Sequence, residues 1–469
     1  MKDLLFALSW QIYLPLIIGS ELLLLLRISV FKNICLFLIL ALALGLGIVS
    51  ILFFLTVTFL NYVDHFLLIF LEMLLSILLV AFLFPSLQSL RFSKLKIFSK
   101  SLLSKAKEIN FSLIIFFSLL FIFLFEFILI SFSNPSGGWD AFAKWNTKAK
   151  FLFRENALFW RNMFEPKLAW FLRRAYPLFL PTLIARGWFL IGREHPSVPI
   201  TISLIFSLGT ICLLYFSLKI FRKEKGTIWA LLLLITSPAF VLQACSQYLE
   251  VPLAFYYLLV FIVLSFYYGK IGSYNLLLLA GFYAGAALWM KCEGVSIFCC
   301  FIVVNLFLSL ISKRLKIGLR EIFYFLMGAL PFLLTFFYFR RIFCSTVPPY
   351  YSVNNIFRIW RYPLVLKYFV KVFLNFSYGI ILILLAYSFI VGFDRKKVKK
   401  FYPLMILFFF MVSFYFVIYI VSPCTSFRKL DWLLRTSIER LFMQLFPLGL
   451  FSIFLVTKSP FNGKYKKTK

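Results

Sequence analysis

The chain has 469 residues, of which 63% are hydrophobic and only 14% are charged. A mean hydropathy of +0.97 excludes a water-soluble domain, because a soluble surface needs far more polar side chains than this sequence contains. Continuous apolar runs of about 20 residues predict transmembrane helices, whereas a β-barrel would require alternating polarity. The expected fold class is therefore all-α, a polytopic helical bundle in a membrane.

About thirteen apolar segments predict membrane spans. The first is expected to be a retained span rather than a cleaved signal, because its long apolar run contains Glu21. We expect N-terminal transmembrane helices over 1–133, a long outer catalytic loop with juxtamembrane surface helices over 134–197, and a transmembrane bundle with short outer loops over 198–469. In chain order the predicted spans are 4–26, 34–60, 66–90, 111–133, 198–218, 227–245, 251–268, 274–290, 295–312, 321–338, 370–392, 401–422 and 441–457.

The formal net charge is +32, from 49 Lys and Arg against 17 Asp and Glu. The excess collects in short loops between spans, which the positive-inside rule and anionic lipid explain without a nucleic-acid partner. Five basic segments fall on one face of the predicted topology: 91–107, 222–225, 313–316, 395–400 and 464–469. We expect this face to be cytoplasmic, with the N-terminus outside, in a multi-pass protein of the inner cell membrane.

The segment 176–192 decides whether this alternation holds. It is apolar but short, is interrupted by Pro177 and Pro181, and carries Arg186. If it crossed the membrane, the later basic loops would face outward. We therefore expect a surface or re-entrant helix that closes the outer loop, with a crossing as the alternative.

The predicted outer face holds most of the acids that could carry chemistry. They are Asp140, Glu155, Glu165, Glu194, Glu250, Glu293, Asp431 and Glu439. Three further acids lie inside apolar runs, where an ionisable group is a functional candidate by default. These three rank lower, because no cation accompanies them at helical spacing: Glu21, Glu72 and Glu126.

Asp140 is the best-placed catalytic candidate. It follows Gly137-Gly138 and begins a segment whose apolar residues recur at helical spacing, namely Trp139, Phe142, Trp145, Ala149 and Leu152. The structural alternative is a helix N-cap with Lys144 as its i+4 ion-pair partner.

Glu250 and the pair Lys291 and Glu293 are further candidates at outer helix ends. Glu250 begins a span just before Pro252, where it could simply balance the helix dipole. Lys291 and Glu293 precede Gly294 at a helix end, where the alternative is a C-cap with a snorkelling lysine.

Cations are numerous on the same face, and an excess of Arg and Lys there indicates an anionic partner, for which a lipid phosphate is suitable. They are Lys144, Lys148, Lys150, Arg173, Arg174, Arg340, Arg341, Arg358, Arg361, Arg428, Lys429, Arg435 and Arg440. No P-loop or glycine-rich nucleotide motif is present, and two histidines disfavour a His-based metal centre. The eight cysteines lack metal-ligand spacing and are expected to be buried thiols.

Several local patterns resemble a bacterial group of GT-C membrane glycosyltransferases, which are distant relatives of protein O-mannosyltransferases and of the lipid A aminoarabinose transferases. Gly138-Trp139-Asp140-Ala141, with Trp145 and Lys148-Ala149-Lys150, resembles their first outer-loop motif. The four further stretches that resemble family elements, in order, are Tyr176 to Pro181 (YPLLLP), Glu250 to Ala254 (ADxPLA), Gly285 to Gly294 (AAWTKNEG) and, more loosely, Arg440 to Pro447 (RLxxQLxP). Glu250 stands where the family has Asp, Cys292 where it has Asn, and the His that often precedes the Tyr-Pro element is missing.

The resemblance implies transfer of a sugar from a polyprenyl-phosphate donor to an acceptor hydroxyl on the non-cytoplasmic side of the membrane. Asp140 would be the general base, and interfacial cations would stabilise the leaving phosphate. We expect Asp140 and Glu250 to be catalytic. The expected substrate-binding residues are Trp139, Lys144, Trp145, Lys148, Arg174, Tyr176, Lys291, Glu293 and Arg440.

No cofactor is expected. A divalent metal would need Asp140 with Glu250 or Glu293 as ligands and is the less favoured option. The partners expected are the lipid-linked donor, membrane lipid and an acceptor whose class, protein, lipid or glycan, is left open, as is the sugar.

Two other functions compete with the transferase. The first is a transporter or flippase of a lipid-linked saccharide, which would bind at mid-membrane on interrupted helices, often in two related halves. The polar residues here collect at predicted helix ends and the halves show no similarity. The second is an assembly protein with a degenerate site.

Overall fold

The computed structural model describes residues 2–28, 33–88, 111–154, 159–222, 225–344 and 352–458. Within these ranges the regular elements are helices, and the β structure is one isolated bridge between Phe393 and Thr457. The all-α prediction is confirmed. Glu155 and the basic segments 91–107 and 464–469 lie outside the described residues.

The first half of the described chain contains ten α-helices. They are α1 (Lys2–Leu25), α2 (Ile34–Phe59), α3 (His65–Gln88), α4 (Phe111–Ser133), α5 (Thr147–Arg154), α6 (Ala169–Leu172), α7 (Phe179–Ile191), α8 (Ser197–Phe221), α9 (Lys225–Ile235) and α10 (Pro238–Cys245). The second half contains eight. They are α11 (Glu250–Phe266), α12 (Tyr274–Met290), α13 (Val295–Ile311), α14 (Leu315–Phe343), α15 (Arg361–Asn375), α16 (Ile380–Val391), α17 (Arg395–Val421) and α18 (Phe427–Val456).

Nine helical segments of the described chain are long and apolar enough to cross a membrane, or up to eleven if each of two bent pairs is one span. The bent pairs are α9 with α10, at 58°, and α15 with α16, at 69°. Shorter apolar helices lie at Ser9–Leu25, Phe179–Ile191 and Tyr274–Met290. The prediction of an integral membrane protein is confirmed, while the count of about thirteen spans stays a prediction.

Helix α11 lies at the centre of the bundle. All of its residues from Glu250 to Phe266 are buried, and it packs against α8, α12 and α18. Its sequence has no polar face, which is typical of a helix enclosed on every side by other helices. The first residue of this helix, Glu250, is therefore brought into the protein interior.

Helices α12 and α14 pack so closely that their backbones touch. A Cβ atom at Gly281 would lie 1.8 Å from the carbonyl oxygen of Phe325, and one at Gly328 would lie 1.9 Å from that of Leu278. Small residues allow such close contact between membrane helices, where dispersion rather than the hydrophobic effect stabilises packing. This contact fixes α12, whose end carries Lys291.

Helix α7 corresponds to the predicted segment 176–192, but it is not a surface helix. Its residues from Phe179 to Trp188 are buried, and it packs against α1, α2 and α8. Thirteen residues span about 20 Å, which is less than the hydrocarbon thickness of about 30 Å. The expectation of a surface helix is therefore wrong, whereas a re-entrant helix fits its length.

Burial of α7 is possible because its one charge is paired. The guanidinium of Arg186 donates two hydrogen bonds of 2.6 Å to the two carboxylate oxygens of Glu72 on α3, and a third to Gln11 on α1. A buried charge is tolerated only with such a partner. Glu72 was expected to lack a cation, because the sequence spacing within its own helix cannot reveal a partner from another segment.

Candidate functional site

Three acidic and three basic side chains from distant parts of the sequence form one charged cluster at an end of the bundle. We define the charged cluster as Asp140, Lys144, Glu250, Lys291, Glu293 and Arg440. Asp140 precedes a π-helix (Ala141–Asn146), Glu250 begins α11, Lys291 and Glu293 follow α12, and Arg440 lies within α18. All six were among the predicted site residues.

Arg440 connects two of the acids. Its Nη2 lies 2.7 Å from Oδ2 of Asp140 and 2.6 Å from Oε1 of Glu250. The Nε of the same guanidinium donates to Glu250 Oε1 over 2.9 Å. The other oxygen of Asp140, Oδ1, lies 2.5 Å from Nζ of Lys144. Each oxygen of Asp140 is thus held by a different cation, and the expected i+4 ion pair is present.

Lys291 connects Glu250 to the third acid, Glu293. Its Nζ lies 3.0 Å from Glu250 Oε1 and 3.5 Å from Glu293 Oε1. The hydroxyl of Tyr176 also donates to Glu293 Oε1, over 3.2 Å. Lys291 is 6% exposed, so it does not snorkel to the surface, because the two carboxylates satisfy its charge inside the protein.

Two carboxylate oxygens of the cluster are left without a hydrogen bond in the described structure. They are Oε2 of Glu250 and Oε2 of Glu293, and both are buried. A buried acceptor without a donor is unusual in native proteins, since it has lost its hydrogen bonds to water. These oxygens could accept from a donor group on a ligand, such as a sugar hydroxyl.

The loop before Asp140 is fitted against the segment that precedes α11. Gly137 adopts a φ of +70°, and the N–H of Gly138 donates to the carbonyl of Ser246 over 3.0 Å. A Cβ atom at Gly138 would lie 2.5 Å from the hydroxyl oxygen of Tyr248. Glycine is needed here because the backbone passes directly over this tyrosine.

Asp140 is in the N-cap position of the π-helix, but its side chain makes no capping hydrogen bond. Burial raises the pKa of Asp140, yet the charges of Arg440 and Lys144 outweigh burial and hold this pKa below its ordinary value. Asp140 is consequently ionised at neutral pH. Burial also lowers the pKa of Lys144, with repulsion from Arg173 and Arg440 in the same direction and Asp140 opposing.

Lys148 was predicted to bind substrate, but its ammonium lies inside the protein. The side chain is fully buried, and Nζ donates to the carbonyls of Arg173, over 3.2 Å, and Tyr176, over 3.0 Å. Burial lowers the pKa of Lys148 to about 7. In this position Lys148 holds the backbone turn that carries Arg173 and Tyr176.

Arg173 itself has a left-handed backbone, with a φ of +49°, and an exposed side chain. A non-glycine residue in this region is strained, and such strain is common at functional sites. Its guanidinium has no ion pair or hydrogen bond within the described residues, although it is near enough to Lys144 to lower that pKa by repulsion. Arg173 thus adds a positive charge near Lys144, and such a combination suits an anionic ligand.

The remaining predicted residues flank the cluster. Trp145 is buried, and its ring centroid lies 5.7 Å from that of Tyr176, so it packs against a residue that contacts the cluster. Arg174 donates to the carbonyl of Phe164 over 2.7 Å, while its buried Nε has no partner in the described structure. Trp139 is 65% exposed and contacts Phe171, so it lies at the edge.

Sequence reasoning missed several residues around the cluster. Tyr248 accepts from the Asp140 N–H over 3.5 Å, and its ring lies 4.6 Å from the Arg440 guanidinium, a cation–π distance. Its position two residues before Glu250 could have identified Tyr248 as a candidate from the sequence. Tyr257 donates to the Glu293 carbonyl, and the hydroxyl of Tyr415 lies 3.3 Å from that of Tyr257 and 2.6 Å from Oε1 of Gln444.

Within the described residues, no group of three or more His, Cys, Asp or Glu side chains could hold a metal ion. The acids of the cluster instead contact Lys and Arg, so a metal at Asp140 would have to replace Lys144 or Arg440. Comparisons with family models, with curated proteins and with solved structures found no significant match to this chain. A function for this chain is therefore inferred from the chemistry of the charged cluster.

Proposed function

We propose that this protein is a GT-C-type glycosyltransferase that moves a sugar from a polyprenyl-phosphate donor to an acceptor hydroxyl. In this proposal the chain crosses the inner cell membrane about thirteen times, and the charged cluster faces the non-cytoplasmic side. No cofactor takes part, since the donor carries an activated sugar and the transition-state charge is stabilised by side chains.

One observation carries the proposal. Five sequence elements that resemble elements of these transferases supply five side chains to the same small volume, although as many as 300 positions separate them. The elements contribute Asp140, Tyr176, Glu250, Glu293 and Arg440, and all five are joined by hydrogen bonds or ion pairs through Arg440 and Lys291. Unrelated weak similarities would not be expected to converge in this way.

The proposed reaction follows from the charges. The acceptor oxygen attacks the anomeric carbon of the donor, the bond from that carbon to the phosphate oxygen breaks, and the phosphate leaves with the electron pair. Asp140 takes the hydroxyl proton. Lys144, Arg173 and Arg440 bind the phosphate, where negative charge increases in the transition state.

The same charges account for the resting arrangement. Lys144 and Arg440 neutralise Asp140 while no donor is bound. When an anionic donor draws these cations toward its phosphate, the carboxylate of Asp140 becomes free to accept a proton. The donor thereby activates the base that its own transfer requires.

A lipid-linked saccharide transporter is the second candidate, and the two bent spans favour it, since broken helices are typical of transporters. At those breaks, however, Ser237 and Ser377 bond to each other, with 2.7 Å between their hydroxyl oxygens, and no charged group is involved. The charged cluster lies instead mainly at helix ends, at Asp140, Glu250, Lys291 and Glu293, with Arg440 within α18 as the exception. This location favours a reaction at the membrane surface.

The test is a proteoliposome assay with a polyprenyl-phosphate sugar, run on the wild type, Asp140→Asn and Glu194→Gln. Glu194 pairs with Arg154 outside the cluster and is the matched control. Loss of about 10²-fold or more in transfer by Asp140→Asn, with Glu194→Gln unchanged, is the expected result. If Asp140→Asn keeps full transfer, or if the wild type moves lipid across the bilayer without transferring sugar, the proposal is wrong.

A further inference from the structure

The second bent span encloses an apolar cavity on the side of α18 away from the charged cluster. The cavity has a volume of about 410 Å³ and is bounded by α15, α16, α17 and α18. This volume is within the range of small-molecule sites, about 300–1,000 Å³. Its lining residues are apolar except for Tyr415, whose hydroxyl is engaged by Gln444 and Tyr257. Only a hydrocarbon ligand suits such a surface.

The backbone break between α15 and α16 bends the chain, and this bend leaves room for the cavity. Three successive residues, Ser377, Tyr378 and Gly379, have φ values of +46°, +58° and +83°. The strained turn is fixed at Ser377, which is bonded to Ser237 in the break of the other bent span. A strained backbone persists only where the surrounding structure holds it, so the conformation of this turn is fixed by its neighbours.

The cavity is accessible from the lipid-facing surface. Three of its lining residues are exposed side chains on the outside of the bundle: Val370 at 48%, Phe373 at 40% and Leu385 at 44%. A chain of a membrane lipid can therefore enter sideways between α15, α16 and α18. Water is disfavoured there, because no free polar group lines the space.

A polar cavity of about 280 Å³ adjoins the apolar one, and Phe376 lines both. The polar residues that line it are Tyr368, Lys371, Asn375, Arg435 and Glu439. Lys371 and Glu439 have no ion-pair partner within the described residues, whereas Arg435, with a side chain that is 68% exposed, pairs with Asp431 over 2.9 Å. The two cations and the acid match a headgroup that carries a phosphate and an ammonium.

We propose that these two cavities form a binding slot for one zwitterionic phospholipid, with an acyl chain in the apolar part and the headgroup at Lys371, Arg435 and Glu439. This lipid is distinct from the donor. Ile438, Phe442 and Phe446 line the slot, whereas Arg440 and Gln444 face the opposite side of α18, toward the charged cluster. The proposal is therefore independent of the transferase assignment.

The test is native mass spectrometry of the full chain released from nanodiscs that contain equal amounts of phosphatidylethanolamine and phosphatidylglycerol. We expect one retained phosphatidylethanolamine per protein. Leu385→Trp fills the slot from its lipid-facing wall and should lower retention by at least about tenfold. Ile383→Trp, on the same helix and 54% exposed but outside the lining, is the matched control and should retain the lipid.

A second pair of variants on α15 guards against misfolding of the first. Val370→Trp, within the lining, should act like Leu385→Trp, and Leu366→Trp, 55% exposed and outside the lining, should act like Ile383→Trp. Lys371→Ala combined with Glu439→Gln should remove the preference for phosphatidylethanolamine. Equal retention by both members of each folded pair, or equal retention of the two lipids by the wild type, would overturn the proposal.

Discussion

Arg440 donates a hydrogen bond of 2.7 Å to Asp140, although 300 positions separate the two residues in the sequence. The same guanidinium contacts Glu250, which is 1% exposed. One cation thus compensates two buried carboxylates from different helical segments. Removing it would leave both acids short of positive charge, and removal of one partner from a buried ion pair is strongly destabilising.

We expect Arg440→Met to lower the free energy of unfolding by about 3–5 kcal/mol and to abolish transfer. Arg440→Lys should keep only part of the stability and part of the transfer activity. A single ammonium cannot repeat the branched contact of a guanidinium with two acids. Thermal unfolding in detergent and the transfer assay measure the two effects. The double variant Arg440→Met with Glu250→Gln should regain stability but stay inactive. Recovery of activity in that double variant would contradict the role given to Arg440.

Arg173 should affect binding without affecting folding. Its side chain is exposed and makes no ion pair within the described residues, so Arg173→Gln should leave thermal stability unchanged. We expect KM for the lipid-linked donor to rise by about tenfold, since one charge-assisted contact with phosphate would be lost. The KM of Arg173→Lys should lie between that of the wild type and that of Arg173→Gln. An unchanged KM in Arg173→Gln would exclude this residue from the phosphate site.

Lys148 should make the stability of the protein depend on pH. Burial lowers its pKa to about 7 from an ordinary value of 10.5. Below pH 7 both the folded and the unfolded chain carry the proton, and the folded state must bury a charge. Between pH 7 and 10.5 only the unfolded chain retains the proton, so the contribution of Lys148 to the free energy of unfolding rises with pH.

The measurement is the thermal unfolding temperature in detergent at several pH values from 6 to about 9.5. Lys148→Met should flatten the rise seen in the wild type. Lys150→Met is the matched control, because Lys150 lies on the same helix, is 37% exposed and reaches Glu194 only at 4.0 Å. A rise of equal size in wild type and Lys148→Met would show that other groups cause it.

The ion pair between Arg186 and Glu72 should contribute far more to stability than an exposed pair of the same chemistry. Arg186→Met leaves a buried carboxylate alone and should cost about 3–5 kcal/mol, with recovery in the double variant that adds Glu72→Gln. Arg154→Met, which breaks the exposed pair with Glu194, should cost about 0–1 kcal/mol. Thermal unfolding of the variants compares them, and equal costs would contradict the assigned burial.

The helical segments could be predicted from the sequence because a membrane helix makes its backbone hydrogen bonds within its own segment. Each apolar run therefore predicts a helix without knowledge of its neighbours. The candidate site could be predicted in part for another reason. Asp140, Glu250, Lys291 and Glu293 are rare charges at the ends of apolar runs, and their motifs resemble those of one enzyme group. The structure adds their convergence in one cluster, joined through Arg440 and Lys291.

The sequence did not reveal contacts between distant segments. The segment 176–192 was expected to be a surface or re-entrant helix partly because it carries Arg186. The partner of Arg186, Glu72, lies more than one hundred positions away and could not be recognised from the sequence. Lys148 was expected to meet a ligand, since its pattern shows a cation near a membrane surface but not the carbonyls of Arg173 and Tyr176 that surround it. Burial of a polar side chain depends on such partners, which no local pattern contains.

The position of Arg440 in the last described helix has a consequence for biosynthesis. Translation adds about 5–20 residues per second, so the 300 positions after Asp140 take about 15–60 s to emerge. Glu250 follows Asp140 along the chain, so from its synthesis onward the nascent protein has two acids at this end of the bundle without the guanidinium that later neutralises them. The charges of this region are therefore balanced only when α18 joins the bundle, and a chain that terminates before α18 would be left with three acids and two cations there.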